Sequence, residues 1–329
     1  MKSRLIEIAV QRAKAVLSPL LVGAIVLCLL PSGFATAQTS PPPIPAWQAA
    51  AGGHMEFEVA SIHLGEPGKF LPPNMALDSE GNAIPEGGRF FADFPLEVYI
   101  QFAWKIMPTR EQRAAMLARL PGWVATQSFV IEAKAPMANP TKDQIRLMVQ
   151  SLLADRFKLA VHFESKETPV LALVLVKVGV TGPRLRPHEQ GLACDAKWTA
   201  PPDRTAPSVQ PGGMLPVCNQ VAAMSGADHT VLLSARNLTL EHIATYLPTV
   251  YNLGRPVVDQ TGLVGSFDFT LQWQPDQNGP MQFLSGSSDE LGGTPFFDAL
   301  KEQLGLKLKP AKAVIPTLVI DHVEQPSPN

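Results

Sequence analysis

The chain has 329 residues, which is enough for two domains of ordinary size. Hydrophobic residues make up 46% of it and charged residues only 17%, so a sizeable core is possible. The formal net charge of −2 differs from the basic balance of most nucleic-acid-binding proteins, and we therefore expect no nucleic-acid partner.

Residues 1–37 have the pattern of a secretory signal peptide. Basic residues precede an apolar run from Ala15 to Leu30, and Ala35 and Ala37 form an A-x-A cleavage pattern. The apolar run is shorter than the roughly 20 residues that a membrane-spanning helix needs. We therefore predict cleavage, no stable membrane span afterwards, and export to the periplasm or the extracellular space, with an uncleaved anchor as the alternative.

A Pro-rich linker at 38–55 precedes a first block at 56–177 that reads as strands and helices in alternation. The block opens with a strand at Phe57–Ile62 and a long loop rich in Gly and Pro. The later predicted elements are a helix from Leu96, a strand at 129–134, a helix capped by Thr141 and Gln144, and two strands at 156–159 and 170–176.

Residues 178–232 are rich in proline and predict an irregular insert. The insert holds Cys194 and Cys218, the two cysteines that remain after signal removal. Oxidising compartments favour a disulfide between them, and such a bridge would stabilise the loop by about 3 kcal/mol. A metal-binding pair or two free thiols are the alternatives, although no histidine lies at finger-like spacing from either cysteine.

A second block at 233–329 repeats the order of elements in the first. Thr239 is a candidate N-cap for a helix that Pro248 would end or kink, and Phe267–Trp273 alternates apolar and polar residues as a half-buried strand does. The later predicted elements are a helix after the N-cap Thr294, a stop at Gly305, and two strands at 307–309 and 317–320. The expected fold is α+β, with two related β-α-β-α-β-β blocks whose small sheets carry helices and are joined by long Pro-rich loops.

Several motifs in a fixed order resemble the uncharacterised soil-associated family of exported bacterial proteins. The motifs lie at Phe57–Ile62, Leu152–Leu159, Val257–Leu263, Phe267–Phe269 and Val319–Glu324. Each block is also loosely similar to the short N-terminal domain of secretins and TonB-dependent receptors. The first resemblance implies an exported protein with a role in sensing or interaction, and the second implies contacts with proteins in the cell envelope.

The sequence holds no recognisable catalytic motif. The seven histidines form no H-E-x-x-H pattern, and His322 follows Asp321 on a strand, where neighbouring side chains point to opposite faces. Asp259–Gly262 differs from the D-T-G of aspartic proteases and predicts a turn, and Gly286–Ser288 lacks the second glycine of a nucleophile elbow. We therefore expect no catalytic residue, metal or cofactor.

The predicted function is a non-catalytic binding or protein-interaction module whose partner is an envelope protein or a glycan. One alternative is an exported hydrolase whose site is assembled from distant residues, which a pocket gathering Asp or Glu with His would favour. Another is a carbohydrate-binding protein that uses exposed aromatic residues such as Trp104, Trp123 and Trp198. An unpaired sheet edge would favour a protein partner that adds a strand.

Overall fold

The computed structural model of the protein describes residues 45–77, 86–188, 218–226, 230–276, 279, 281 and 293–326. Within these residues the predicted α+β class is confirmed. The helices are α1 (Ala46–Ala51), α2 (Leu96–Ala103), α3 (Arg110–Leu117), α4 (Trp123–Thr126), α5 (Lys142–Arg156), α6 (Leu240–Val250) and α7 (Phe296–Leu304). The strands are β1 (Val59–Leu64), β2 (Arg89–Pro95), β3 (Ser128–Lys134), β4 (Ala160–Leu175), β5 (Leu185–Pro187), β6 (Gln220–Ser225), β7 (Val231–Leu238), β8 (Val257–Asp259), β9 (Phe267–Trp273) and β10 (Leu306–His322).

The first half of the fold consists of α1 to α5 with β1 to β3. Its antiparallel sheet has the order β1-β3-β2, and the register aligns Ile62 with Ile131 and Ile131 with Ala92. Paired residues share a sheet face, so these three side chains enter one core together with buried residues of α2 and α5. Tyr99 of α2 fixes the helix to the sheet, because its hydroxyl lies 2.8 Å from the Ala92 carbonyl oxygen and 2.7 Å from that of Phe129.

The second half consists of α6 and α7 with β5, β6, β7 and β9. Its sheet has the order β5-β9-β7-β6, and Phe269, Leu271 and Trp273 of β9 lie in a core with α6 and α7. The strands β5 and β6 belong to the segment predicted as irregular, where proline and small residues hid their pattern. The predicted polar face of β9 was wrong in part, since Asp268 and Thr270 are buried.

The two closing strands predicted for the second block form one continuous strand, β10. In the first block the strand predicted at 170–176 is the end of the longer β4, and the strand predicted at 156–159 was wrong, because α5 continues to Arg156 and β4 begins only at Ala160. β4 and β10 pair antiparallel from Leu175 opposite Leu306 to Ala160 opposite His322, and we call this pair the ribbon. The polar, Pro-containing middle of each strand resembles a loop in sequence. It stays extended because the partner strand satisfies its backbone hydrogen bonds.

The ribbon crosses between the two cores. Val161 and Phe163, near the start of β4, pack against the first core, whereas Leu173 near its end is buried in the second. β10 runs the opposite way, so Leu306 is buried in the second core and Leu318 in the first. The last strand of the chain therefore completes the half that comes first in the sequence.

The helix ends agree with the sequence signals, with two corrections. The capping box of Thr141 with Gln144, the N-cap Thr239 and the stop at Gly305, where φ is 69°, are confirmed. Pro248 does not end α6, because the helix continues to Val250 and a proline in the last turn removes only one helical hydrogen bond. The N-cap of α7 is Pro295 rather than Thr294.

Candidate functional site

The ribbon leaves a long edge of β4 without a third strand among the residues with described structure. The sheet order is β10-β4-β8, and β8 pairs in parallel with β4 only at Leu171–Leu173. The Leu171 N–H donates to the Pro256 carbonyl oxygen at 2.9 Å, so the odd-numbered residues of β4 direct their backbone groups away from β10. By this alternation the outward backbone groups of Val161, Phe163, Ser165 and Glu167 form one edge, which we call the β4 edge.

The β4 edge has no partner strand among the residues that the structure describes. Pro169 ends it before β8 begins, because proline has no N–H to donate. The opposite edge of the ribbon is interrupted twice, since Pro310 and Pro316 occupy outward-facing positions of β10. The β4 edge is therefore the longer uninterrupted row of outward N–H donors and C=O acceptors on the ribbon.

A charged cluster lies beside the β4 edge. His162 Nδ1 lies 2.8 Å from Asp321 Oδ2, and His162 Nε2 lies 3.3 Å from Glu164 Oε1. Hydrogen bonding to Asp321, and then to Glu164, raises the pKa of His162 above its ordinary value of 6.5. As predicted from the strand alternation, His322 does not pair with Asp321, and its Nε2 lies 2.7 Å from Glu324 Oε1 instead. The cluster is exposed and joins the two strands of the ribbon.

A buried polar cluster lies at the bulged end of the second sheet. Asp268 Oδ1 accepts a hydrogen bond from the Asn237 N–H at 2.9 Å and lies 2.7 Å from His188 Nδ1, and Arg236 Nε lies 3.9 Å from Asp268 Oδ2. Sequence reasoning missed this cluster because its members are far apart in the chain. Hydrogen bonding compensates for the burial of Asp268, which supports a structural role.

A small cavity of about 180 Å³ lies on the face of the first sheet that points away from α2 and α5. The register places His63 and Asp93 on either side of Val130 in one row, and Glu132 follows on the same face. The lining comprises His63, Leu64, Glu66, Lys69, Leu71, Asp93, Val130 and Glu132. The cavity thus gathers carboxylates with a histidine, and the sequence pattern did not predict it.

The remaining candidate residues have modest roles where the structure describes them. Asp259 Oδ1 accepts from the Thr261 N–H at 2.9 Å, and Gly262 has φ of 72°, so the predicted turn is confirmed. Trp123 stacks on Phe157 with ring centroids 6.4 Å apart, so this tryptophan belongs to the first core. Trp104 also packs against that core, whereas Trp198 and Gly286–Ser288 lie outside the described residues.

The predicted disulfide and cleavage site remain predictions. Cys218 is buried, but Cys194, Ala35 and Ala37 all lie outside the described residues. Among the residues with described structure, no group of three His, Cys, Asp or Glu side chains could hold a metal ion. In the same part of the chain no helix has the length and apolar character needed to cross a membrane.

The fold and these surfaces define an α+β protein of two similar halves joined by a two-stranded ribbon. Residues 97–323 match the family described as "Protein of unknown function (DUF3738)", and the chain belongs to that family. The match starts in α2 and ends just after β10, so it includes the second half, the ribbon and the part of the first half from α2 onward, whereas α1, β1 and β2 precede it. No curated protein and no solved structure matches the chain.

Proposed function

We propose that this protein is an exported, non-catalytic interaction module that binds an extended segment of an envelope protein by strand addition to the β4 edge. The observation that carries the proposal is the uninterrupted row of outward backbone groups from Val161 to Glu167. Backbone hydrogen bonds would supply the affinity, and the flanking side chains would supply the specificity.

The same side of β4 already pairs with a strand beyond the β4 edge. β8 pairs with β4 at Leu171–Leu173, so an added strand at the β4 edge would extend the same side of the sheet beyond Pro169. Glu164 and Glu167 flank the edge and are exposed. They favour a segment that carries a lysine or arginine, although Lys312 already lies 2.7 Å from Glu167.

Export supports the choice of an envelope protein as partner. The A-x-A pattern at Ala35 and Ala37 and the resemblance to exported soil-associated proteins both favour a periplasmic or extracellular location. The loose similarity of each block to the short N-terminal domain of secretins and TonB-dependent receptors points to partners of the same compartment.

The test uses proline as a selective block of each edge. Ser165→Pro removes an outward N–H from the middle of the β4 edge and leaves the hydrogen bonds between β4 and β10 in place. Val314→Pro is the matched control, because it removes an outward N–H from the other edge of the same ribbon. Each tagged protein is incubated with the envelope fraction, and the captured segments are mapped by cross-linking and mass spectrometry.

We expect the wild type and Val314→Pro to capture the same segment, cross-linked to β4, and Ser165→Pro to lose at least nine tenths of the captured material. Equal capture by all three proteins would contradict the proposal, and so would a loss confined to Val314→Pro. Thermal unfolding of each variant shows whether the ribbon remains intact. A second copy of the same chain as the captured partner would replace the envelope protein with self-association.

The hydrolase alternative has one supporting observation, the cavity that gathers His63 with Asp93 and Glu132. Among the described residues that line it there is no hydroxyl or thiol side chain, so a water molecule would have to act as the nucleophile. A screen of the purified protein against ester, amide and glycoside substrates tests this alternative. Turnover that disappears in both His63→Ala and Asp93→Asn would contradict the non-catalytic proposal.

A further inference from the structure

The cavity of the first sheet contains an incompletely satisfied carboxylate. Asp93 is only 3% exposed, and its Oδ1 has no hydrogen-bond partner among the residues that the structure describes. Its Oδ2 receives only a long hydrogen bond of 3.4 Å from the Leu71 N–H. A buried carboxylate with a single long hydrogen bond is costly, and the charge of a cation in the cavity that Asp93 lines would offset this cost.

The chain segment after β1 builds the wall of the cavity. At Gly65 a Cβ atom would lie 2.0 Å from Ser128 Oγ and 2.7 Å from Asp93 Oδ1, so only glycine lets the segment pass this close to the carboxylate. Further on, Asn74 exchanges hydrogen bonds with Phe91, because its side-chain oxygen accepts from the Phe91 N–H and its own N–H donates to the Phe91 carbonyl oxygen. The segment is therefore held against the sheet at both of its ends, at Gly65 and at Asn74.

The charges of the lining favour a cation. Glu66, Asp93 and Glu132 are acidic, and among the described lining residues the only basic side chain apart from His63 is Lys69. The Lys69 Nζ lies 3.2 Å from both carboxylate oxygens of Glu66, so this pair is internally neutralised. Asp93 and Glu132 remain as two carboxylates without a described ion-pair partner, on the same face of the sheet.

The volume limits the ligand. A cavity of about 180 Å³ is smaller than the roughly 300–1,000 Å³ of pockets that hold drug-sized ligands, so it suits a small ligand. Leu64, Leu71 and Val130 supply apolar walls that suit an alkyl chain. We propose that this cavity binds a primary ammonium group on a short alkyl chain, with Asp93 as its counter-ion. This inference is independent of the β4 edge, because Asp93 lies in a different sheet.

The first probe is n-butylamine, with n-butanol as an uncharged molecule of equal size. Titration of the full chain, followed by NMR of the Leu71 amide, should show saturable shifts with n-butylamine and at least tenfold weaker binding of n-butanol. Asp93→Asn should weaken n-butylamine binding at least tenfold, and Glu132→Gln should weaken it two- to fivefold. Glu58→Gln is the matched control, because Glu58 is an exposed carboxylate beside the same sheet but outside the cavity. The affinity of this variant for n-butylamine should equal that of the wild type.

The ammonium group could come from a free amine or from a lysine side chain, which has the same four carbons and nitrogen. Binding of Nα-acetyl-lysine methylamide at least as tight as that of n-butylamine supports the lysine source, and binding of n-butylamine alone supports the free amine. The proposal fails if n-butanol binds equally, if Asp93→Asn binds n-butylamine as the wild type does, or if nothing binds. Should Asp93→Asn fail to fold, the double variant Glu66→Gln with Glu132→Gln decides, since unchanged affinity there also contradicts the proposal.

Discussion

The two halves of the molecule share one plan but differ in the connection after their first long helix. In each half a strand leads into a helix, a further strand comes next, and a second helix leads into a strand of the ribbon. The first half inserts α3 and α4 after α2, whereas the second half places β8 after α6. The common plan shows that one arrangement can bury a core with either kind of connection.

The difference has a direct effect on the ribbon. β8 adds a third strand beside β4 in the second half, whereas in the first half α3 contacts β10 and no strand is added among the described residues.

The extra helix α3 also changes the burial of a glutamate that occupies the same position in α2 and α6. Glu97 of α2 is buried and paired with Arg113 of α3, whereas Glu241, at the same place in α6, is exposed. A helical connection protects side chains but leaves the sheet edge free.

The crossing of the ribbon predicts that each half depends on one end of β4 and one end of β10. Leu318→Ala should lower the stability of the first half by about 2–5 kcal/mol, because the buried side chain leaves a cavity in that core. Leu173→Ala should lower the stability of the second half by a similar amount. Amide hydrogen exchange of α5 and α7, measured in each variant, reports the two halves separately.

Val314→Ala serves as the control for both substitutions. Val314 lies in the middle of the ribbon and is 67% exposed, so its truncation should change either stability by less than about 0.5 kcal/mol. Faster exchange in α7 alone after Leu318→Ala would contradict the crossing of the ribbon.

A smaller effect is expected where the first half uses a polar side chain and the second half an apolar one. Tyr99 occupies the fourth position of α2, and Ile243 occupies the fourth position of α6. Tyr99→Phe removes the hydroxyl that contacts the carbonyl groups of Ala92 and Phe129, at a cost of about 1–3 kcal/mol. Urea unfolding measures the loss, and a change below about 0.3 kcal/mol would show that the hydroxyl contributes little.

Ile243→Val is the matched substitution in the second half. It removes one methylene group from a buried side chain and no hydrogen bond, so it should cost about 0.5–1.5 kcal/mol. Its unfolding should be measured with the same denaturant series, so that the two values can be compared directly.

The smallest effect concerns the exposed cluster at the end of the ribbon. The raised pKa of His162 means that its pairing with Asp321 stabilises the fold fully below pH 6.5 and that this contribution is lost as the pH rises through the raised pKa. NMR titration should place the His162 pKa above 6.5, and Asp321→Asn should lower it. Asp155→Asn alters an exposed carboxylate that pairs with Lys158 and should leave the His162 pKa unchanged, and an equal shift in both variants would exclude the direct pairing.

The helix signals could be predicted from the sequence because they depend on neighbouring residues. The capping box of Thr141 and Gln144, the cap at Thr239 and the positive φ of Gly305 each result from local chemistry. The N-cap of α7 was misjudged by one residue, because the start of a helix depends on the packing of its first turn as well as on the residue types.

By itself, the sequence determined the α+β class, the repeated order of elements and the turn at Asp259, because periodicity and turn chemistry act over a few residues. Only the tertiary structure decided that β4 and β10 are each one long strand, that Leu318 completes the first core, and that Asp93 and His63 line one cavity. These features join residues that are distant in the chain. The pairing of distant strands sets them, and a local pattern indicates which face of a strand is buried but not which strand is its partner.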